Sequence, residues 1–211
     1  MYLKITKKAE NDKKSLIIID NQIWGILPDR ILLPFFPIPY TGEINNDQAK
    51  ELLSLIEKQA RQQLLKYLGN REHSSLECKQ YLKRKHYPTE LIDTLICEFQ
   101  DKKYIDDHRY VQILISSLIS RKKSKNAIAM KLKETRLPTE IWKELLNELY
   151  NQEEGMENLK EQITQLRFRY RDLPPSKQKE KIYASLYRKG FNLNDIHLAW
   201  QATAQEVILV D

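Results

Sequence analysis

The spacing of apolar residues changes once along this chain, near residue 45, and the change divides it in two. Before that point the apolar residues come in short β-branched runs. Ser15-Leu16-Ile17-Ile18-Ile19-Asp20 is followed by Asn21-Gln22, and Ile23-Trp24-Gly25-Ile26-Leu27 then runs to a stop at Pro28-Asp29. Two such runs around a polar turn predict a β-hairpin, with Tyr2 to Thr6 available as a third strand. The charged stretch Lys7 to Lys14 between them reads as a loop. Pro34, Pro37 and Pro39 exclude regular structure over the next residues, because proline cannot donate to a ladder.

From Asp47 onward the period is helical. Leu52, Leu53, Ile56, Ala60, Leu64 and Leu68 recur at three- and four-residue spacing and form one apolar stripe, which Gly69-Asn70 ends. Ser74-Ser75-Leu76-Glu77 is a capping box that starts a second helix carrying Cys78, Tyr81 and Leu82. Tyr87-Pro88-Thr89 breaks it and starts a third, with Leu91, Ile92, Leu95, Ile96 and Phe99 inward.

The triplet then repeats. A shift of 50 residues places Ser74 on Ser124, Leu64 on Leu114, Leu68 on Leu118, Leu82 on Leu132, Tyr87-Pro88-Thr89-Glu90 on Leu137-Pro138-Thr139-Glu140, and Leu95 on Leu145. A weaker third copy follows about 54 residues later: Ile182 answers Ile128, Leu186 answers Leu132, Phe191 answers Leu137, and Ile196 and Trp200 answer Trp142 and Leu146. Its first helix spans Met156 to Tyr170, and Pro174-Pro175 alters the turn after it. Short triplets cannot each bury much, so stacking into an elongated array is expected. The reading is a mainly α protein of tandem three-helix repeats with a small N-terminal β-hairpin unit. Its segments are 1–45, 46–105, 106–152 and 153–211. Leu64, Leu68, Leu82, Leu95, Leu114, Leu132, Leu145, Leu186 and Ile196 should face inward.

Composition narrows the chemistry. Among 211 residues 41% are apolar, 30% are charged and only 5 are glycine, which suits amphipathic helices and argues against a Gly-rich sandwich. The most apolar stretch, Ile31 to Tyr40, is too short and too rich in proline to cross a bilayer, and no apolar core of secretory length is present. Cys78 and Cys97 cannot build a disulfide framework or a zinc site, so a reducing cytoplasm is the expected location. Cys78 shares its repeat position with Ile128 and Ile182 and reads as a small buried hydrophobe, not a nucleophile. Asp106-Asp107 stands where one triplet hands over to the next. There the first Asp caps a helix and the second sits at the positive end of its dipole. His73, His86, His108 and His197 read as solvated turn or polar-face residues, and Trp142 and Trp200 as packing residues. No phosphate loop, nucleophile elbow or His-Glu-x-x-His is present. The expectation is no catalysis, no cofactor and no metal.

Charge placement carries more than the net +6 that 35 basic and 29 acidic residues leave. Arg121, Lys122, Lys123 and Lys125 crowd a helix junction, and no acid follows until Glu134. Four cations in five residues repel one another unless a polyanion or an acidic surface neutralises them. Lys79, Lys83, Arg84 and Lys85 form a second knot, and Arg167, Arg169 and Arg171 a third. Cations at helix C-termini also complement the dipole, and for Lys83, Arg84 and Lys133 both readings stand.

Several segments together resemble the RecX regulatory proteins, modulators of the RecA recombinase. They are Leu64 to Glu77 with Arg71 and Ser74, then Leu82-Lys83-Arg84-Lys85-His86-Tyr87, then Lys103-Tyr104-Ile105-Asp106-Asp107-His108-Arg109-Tyr110, similar to the family's Gly-Tyr-Leu-Asp-Asp-x-Arg-Phe. Arg121, the Ile128-to-Leu132 helix and the hairpin complete the match. His86 stands where glycine is common before the aromatic, and Lys103 replaces another usual glycine. The resemblance implies a non-enzymatic, monomeric regulator lodged in the groove of the RecA–DNA filament, restraining its ATPase, strand-exchange and co-protease activities. It carries over Arg71, Arg109 and Arg121 as motif matches. With Lys79, Lys83, Arg84, Lys122, Lys123, Lys125, Arg167 and Arg169 these are the candidate contacts to RecA or to single- and double-stranded DNA, bound weakly when alone. The alternatives are a sequence-independent DNA-binding protein without RecA specificity, and a helical adaptor whose basic surface is incidental.

Overall fold

A computed structural model describes residues 1–7 and 12–208, so part of the expected Lys7-to-Lys14 loop, including Lys8, lies outside the described residues. The chain divides into two compact units, 1–107 and 108–211.

The first unit opens with a four-stranded antiparallel sheet: β1 (Tyr2–Lys7), β2 (Lys14–Ile19), β3 (Gln22–Pro28) and β4 (Tyr40–Glu43), ordered β3-β2-β1-β4. The expected hairpin is β2–β3, and the third strand pairs as expected. Its turn is Asp20-Asn21, both at positive φ, which matches the right-handed strand twist. Lys7 and Lys14 belong to the strands and not to the loop. The fourth strand was not foreseen, because Tyr40-Thr41-Gly42-Glu43 follows three prolines and has little β-branched character. Between β3 and β4 lies one short helical turn, α1 (Asp29–Leu32). Leu3, Ile5, Ile17, Ile19 and Leu27 project from one face of the sheet into the core.

Three helices complete this unit: α2 (Asn46–Leu68), α3 (Ser75–Arg84) and α4 (Thr89–Asp101). Asn45 starts α2 with its own capping box, reciprocal with Gln48. At α3 the Ser74 hydroxyl accepts from the Glu77 amide at 3.1 Å, and a Glu77 carboxylate oxygen accepts from the Ser74 amide at 3.3 Å. The stripe of α2 and the inward faces of α3 and α4 share one core with the sheet. Tyr87 packs directly on the β3 backbone: a Cβ on Gly25 would lie 2.9 Å from the Tyr87 ring, and Gly25 has φ +138°.

The second unit holds two triplets. The first is α5 (Asp107–Ser120, begun at the last residue of the first unit), α6 (Lys125–Glu134) and α7 (Thr139–Leu149). The second is α8 (Gln152–Arg169), α9 (Pro175–Arg188) and α10 (Leu193–Ile208). Each triplet has its own apolar cluster, around Ile128, Leu132 and Trp142 in one and around Ile163, Ile182 and Ile196 in the other. Cys78, Ile128 and Ile182 are all fully buried, as their shared position requires, and so are Leu82, Leu132 and Leu186. The fold is thus ten helices, arranged as three-helix domains after a small sheet, among the described residues.

Equivalence fails in the first helix of the second triplet. Leu114 is half-buried where Leu64 is buried, and the core positions of α5 are Val111 and Ile115. These match Ala60 and Leu64 at a shift of 51 residues, so α5 is turned by one residue against the other two helices of its triplet. Leu68 and Leu145 are also half-buried and not fully inward.

Candidate functional site

The turn that ends the second helix of each triplet uses the same backbone device. His86 after α3, Arg136 after α6 and Gly190 after α9 all have positive φ, at 64°, 59° and 86°. In the first and third, the next residue closes a wider bond to the helix, Tyr87 amide to Leu82 carbonyl at 3.3 Å and Phe191 amide to Leu186 carbonyl at 3.2 Å. Glycine is needed in the third copy for a second reason: a Cβ on Gly190 would lie 2.9 Å from the Ser124 Oγ. That hydroxyl caps α6, accepting from the Ala127 amide at 3.2 Å while donating to the Lys189 carbonyl at 3.0 Å. The Lys189-Gly190 turn therefore docks on the N-terminus of α6.

This docking brings two basic segments to one cavity of about 600 Å³. Arg121, Lys122 and Lys123 enter from the α5–α6 turn, Lys131 from α6, and Arg188 and Lys189 from the end of α9. Two carboxylates share it. Glu134 pairs with Lys131 at 2.7 Å, and Glu161 of α8 pairs with Lys122. Arg121, Lys123, Arg188 and Lys189 have no carboxylate partner among the described residues. Lys189 donates to the Gln162 side chain at 2.8 Å. Partial desolvation, and then the nearby charges of Lys123 and Arg169, pull its ammonium below the ordinary lysine value. A cavity of this size with unneutralised cations is suited to an extended anion. Among the described residues no group of three or more His, Cys, Asp or Glu side chains could hold a metal ion. No described helix is long and apolar enough to cross a membrane.

Comparison with known proteins finds two matches in chain order. The first three-helix domain of RecX matches residues 60–98 and the third three-helix domain of RecX matches residues 152–200. The chain is similar to RecX proteins in both domains. Regulatory protein RecX of Streptococcus mutans is 24% identical over 93% of this chain and 76% of its own length. That of Caldanaerobacter subterraneus is 23% identical over 93% and 96%. A crystal structure of regulatory protein RecX superposes with a TM-score of 0.66 at 20% identity, covering 94% of this chain and 99% of that one. RecX from Lactobacillus salivarius gives 0.65 at 21% identity over 71% and 97%.

The residues that the family pattern and the charge runs single out do not all reach the cavity. Of the four crowded cations, Arg121, Lys122 and Lys123 line it, whereas Lys125 turns away and lies 5.9 Å from the Tyr150 ring centre. Among the described residues no carboxylate local in sequence pairs with these four cations, but Lys122 finds a partner on α8, 39 residues away. Arg167 is half-buried: its guanidinium lies 4.0 Å over the Trp200 ring and donates to the Thr203 and Trp200 carbonyls at 3.1 and 3.2 Å. That places it in the packing of α8 against α10. Arg169 is exposed at the end of α8, near enough to Lys189 for its charge to act there.

In the first unit, Arg71 grips both oxygens of the Glu77 carboxylate at 2.9 and 3.1 Å, and Lys79 pairs with Asp93 at 2.8 Å. Lys83 and Arg84 are exposed, and Arg109 of the second unit is half-buried. His73, expected to be solvated, is buried instead. It stacks on Tyr67 with ring centres 3.7 Å apart, and its Nδ1 lies 3.1 Å from Glu77. Asp107 does more than favour a dipole: within the first unit it accepts from the Ser75 amide and hydroxyl at 2.7 and 2.6 Å. Arg188 and Lys189 stand in no charge run that marks them in the sequence. The 54-residue shift places them on Glu134 and Thr135, so the repeat alone marked the turn but not its charge.

Proposed function

We propose that this protein restrains a RecA recombinase by lodging in the groove of the RecA–DNA filament. It acts there as a monomer, by contact and not by turnover, and lowers ATPase, strand-exchange and co-protease activity. Its relatives named regulatory protein RecX support the role, and the proposed partner, a filament formed on DNA, implies a cytoplasmic location. The observation that carries the reading is the meeting of Arg121, Lys123, Arg188 and Lys189 at one cavity without carboxylate partners among the described residues. A helical filament on DNA presents a continuous line of phosphates, and four cations without carboxylate partners on a docked pair of turns suit such a surface. Burial pushes the Cys78 thiol up to about 12, which leaves it protonated and inert and favours contact over chemistry.

The same cavity favours a second reading, a general DNA-binding protein without RecA specificity. RecA ATPase on single-stranded DNA, with this protein titrated in, separates the two. The proposal expects the rate to fall at protein concentrations far below those needed to bind DNA alone. Changing Arg121, Lys123, Arg188 and Lys189 to Glu should leave helicity and melting nearly intact, because exposed charges contribute little to folding. It should remove most of the inhibition, whereas changing Lys13 and Lys14 to Glu should do much less. Inhibition that appears only at DNA-saturating concentrations supports the general binder. Inhibition unaffected by the quadruple change would sink the cavity assignment.

A further inference from the structure

Two features of the basic cavity go beyond a bare phosphate contact. The first is that the chain already places an anion inside it. Glu161 reaches from α8 to Lys122, while its neighbour Gln162 donates to the Lys122 carbonyl at 3.3 Å and accepts from Lys189 at 2.8 Å. Both partners of the Glu161–Lys122 pair are about half exposed, so the pair is weak and its carboxylate can return to water. The second is that the cavity opens onto an adjoining recess of about 670 Å³, with which it shares Met130, Arg188, Gly190 and Phe191. Tyr187 and Leu193 border that recess, and Tyr187 is 61% exposed.

An open aromatic ring beside a row of cations is the composition of a single-strand surface. The ring accepts any unpaired base and the cations follow the backbone. A duplex would use the cations and leave the ring idle, since its bases are stacked on one another. An acidic peptide has no comparable use for a flat ring. We propose that the cavity and its recess form a site for single-stranded nucleic acid. In it Arg121, Lys123, Arg188 and Lys189 hold backbone phosphates, Tyr187 stacks a base, and the strand displaces Glu161 from Lys122. The proposal rests on the reading of this surface as a nucleic-acid contact, and it adds the class of strand and the internal anion that must leave.

Fluorescence anisotropy with one labelled oligonucleotide of mixed sequence, single-stranded or annealed to its complement, tests it at fixed salt. Tyr187→Ala should weaken single-strand binding about five- to hundredfold, the range of one lost base–aromatic stack, and leave duplex binding unchanged. Glu161→Gln should tighten single-strand binding about two- to fivefold by freeing one exposed cation. Glu157→Gln adds the same charge one turn earlier on α8, where the carboxylate pairs with Lys160 at 2.7 Å, and should tighten it much less. All three side chains are exposed, and unchanged melting confirms that the variants fold. Equal loss on duplex and single strand in Tyr187→Ala overturns the proposal, as does a Glu161→Gln effect no larger than that of Glu157→Gln. The underlying reading fails separately: Lys123→Gln combined with Arg188→Gln would then bind both oligonucleotides like the wild type.

Discussion

At the scale of single residues, two positions carry conformational or solvation cost that a substitution can expose. His86 occupies the left-handed region at φ 64°, where a Cβ crowds the neighbouring carbonyl and glycine does not. His86→Gly should therefore stabilise the protein by about 0.5–1 kcal/mol, the relief of strain less the extra freedom glycine has when unfolded. Urea unfolding checks this, and a lowered midpoint would refute it. His73 is the other position. Burial, and then the Arg71 charge, hold its imidazole below its ordinary value of 6.5, despite the Glu77 carboxylate beside it. A base with a depressed folded pKa gives stability that is complete above 6.5 and lost as pH falls from there through the lower folded value. Melting temperature should thus decline as pH is lowered below 6.5. His73→Phe keeps a ring against Tyr67 and should flatten that part of the profile. An unchanged slope would assign it to other groups.

At the scale of elements, apolar spacing marks most of the helices and the hairpin, since one buried face imposes one period. The Ser74 capping box was equally legible, because both of its partners are local in sequence. Three features were not legible, and each depends on distant contacts. β4 exists because Tyr40 to Glu43 pairs with Tyr2 to Ile5, not because of its own residues. The one-residue turn of α5 is set by what Val111 and Ile115 meet. Glu161 neutralises Lys122 from another helix. The α5 rotation has a measurable result. Leu132→Ala empties a fully buried site and should cost about 2–5 kcal/mol, whereas Leu114→Ala, at a half-buried site, should cost less than half as much. Equal costs would restore the 50-residue register in that helix.

At the scale of the molecule, a net charge of +6 conceals an uneven distribution. Several cations of the first unit pair with carboxylates, as Arg71 with Glu77, Lys79 with Asp93, and Arg61 with Glu57 and Glu98 show. Arg121, Lys123, Arg188 and Lys189, without carboxylate partners among the described residues, gather at the second unit's cavity, on turns fixed by Ser124 and Gly190. The sequence showed half of that site as a charge run. The other half, Arg188-Lys189, looked like an ordinary basic helix end until the fold set it beside Lys123.

The two cysteines give the protein an internal clock. Cys97 is exposed on α4, and Cys78 is sealed in the core of the same unit with its thiol pushed up to about 12. Alkylating reagent should mark Cys97 within moments and reach Cys78 only when the α3 layer opens, because the thiolate is the reacting species. Mass spectrometry of a timed labelling series should therefore show a fast single adduct and a slow second one. The slow rate then reads the opening frequency of the first triplet in the intact chain, with no engineered probe. His86→Gly, acting at the end of α3, should lengthen that interval, while substitutions around the second unit's basic cavity should leave it unchanged.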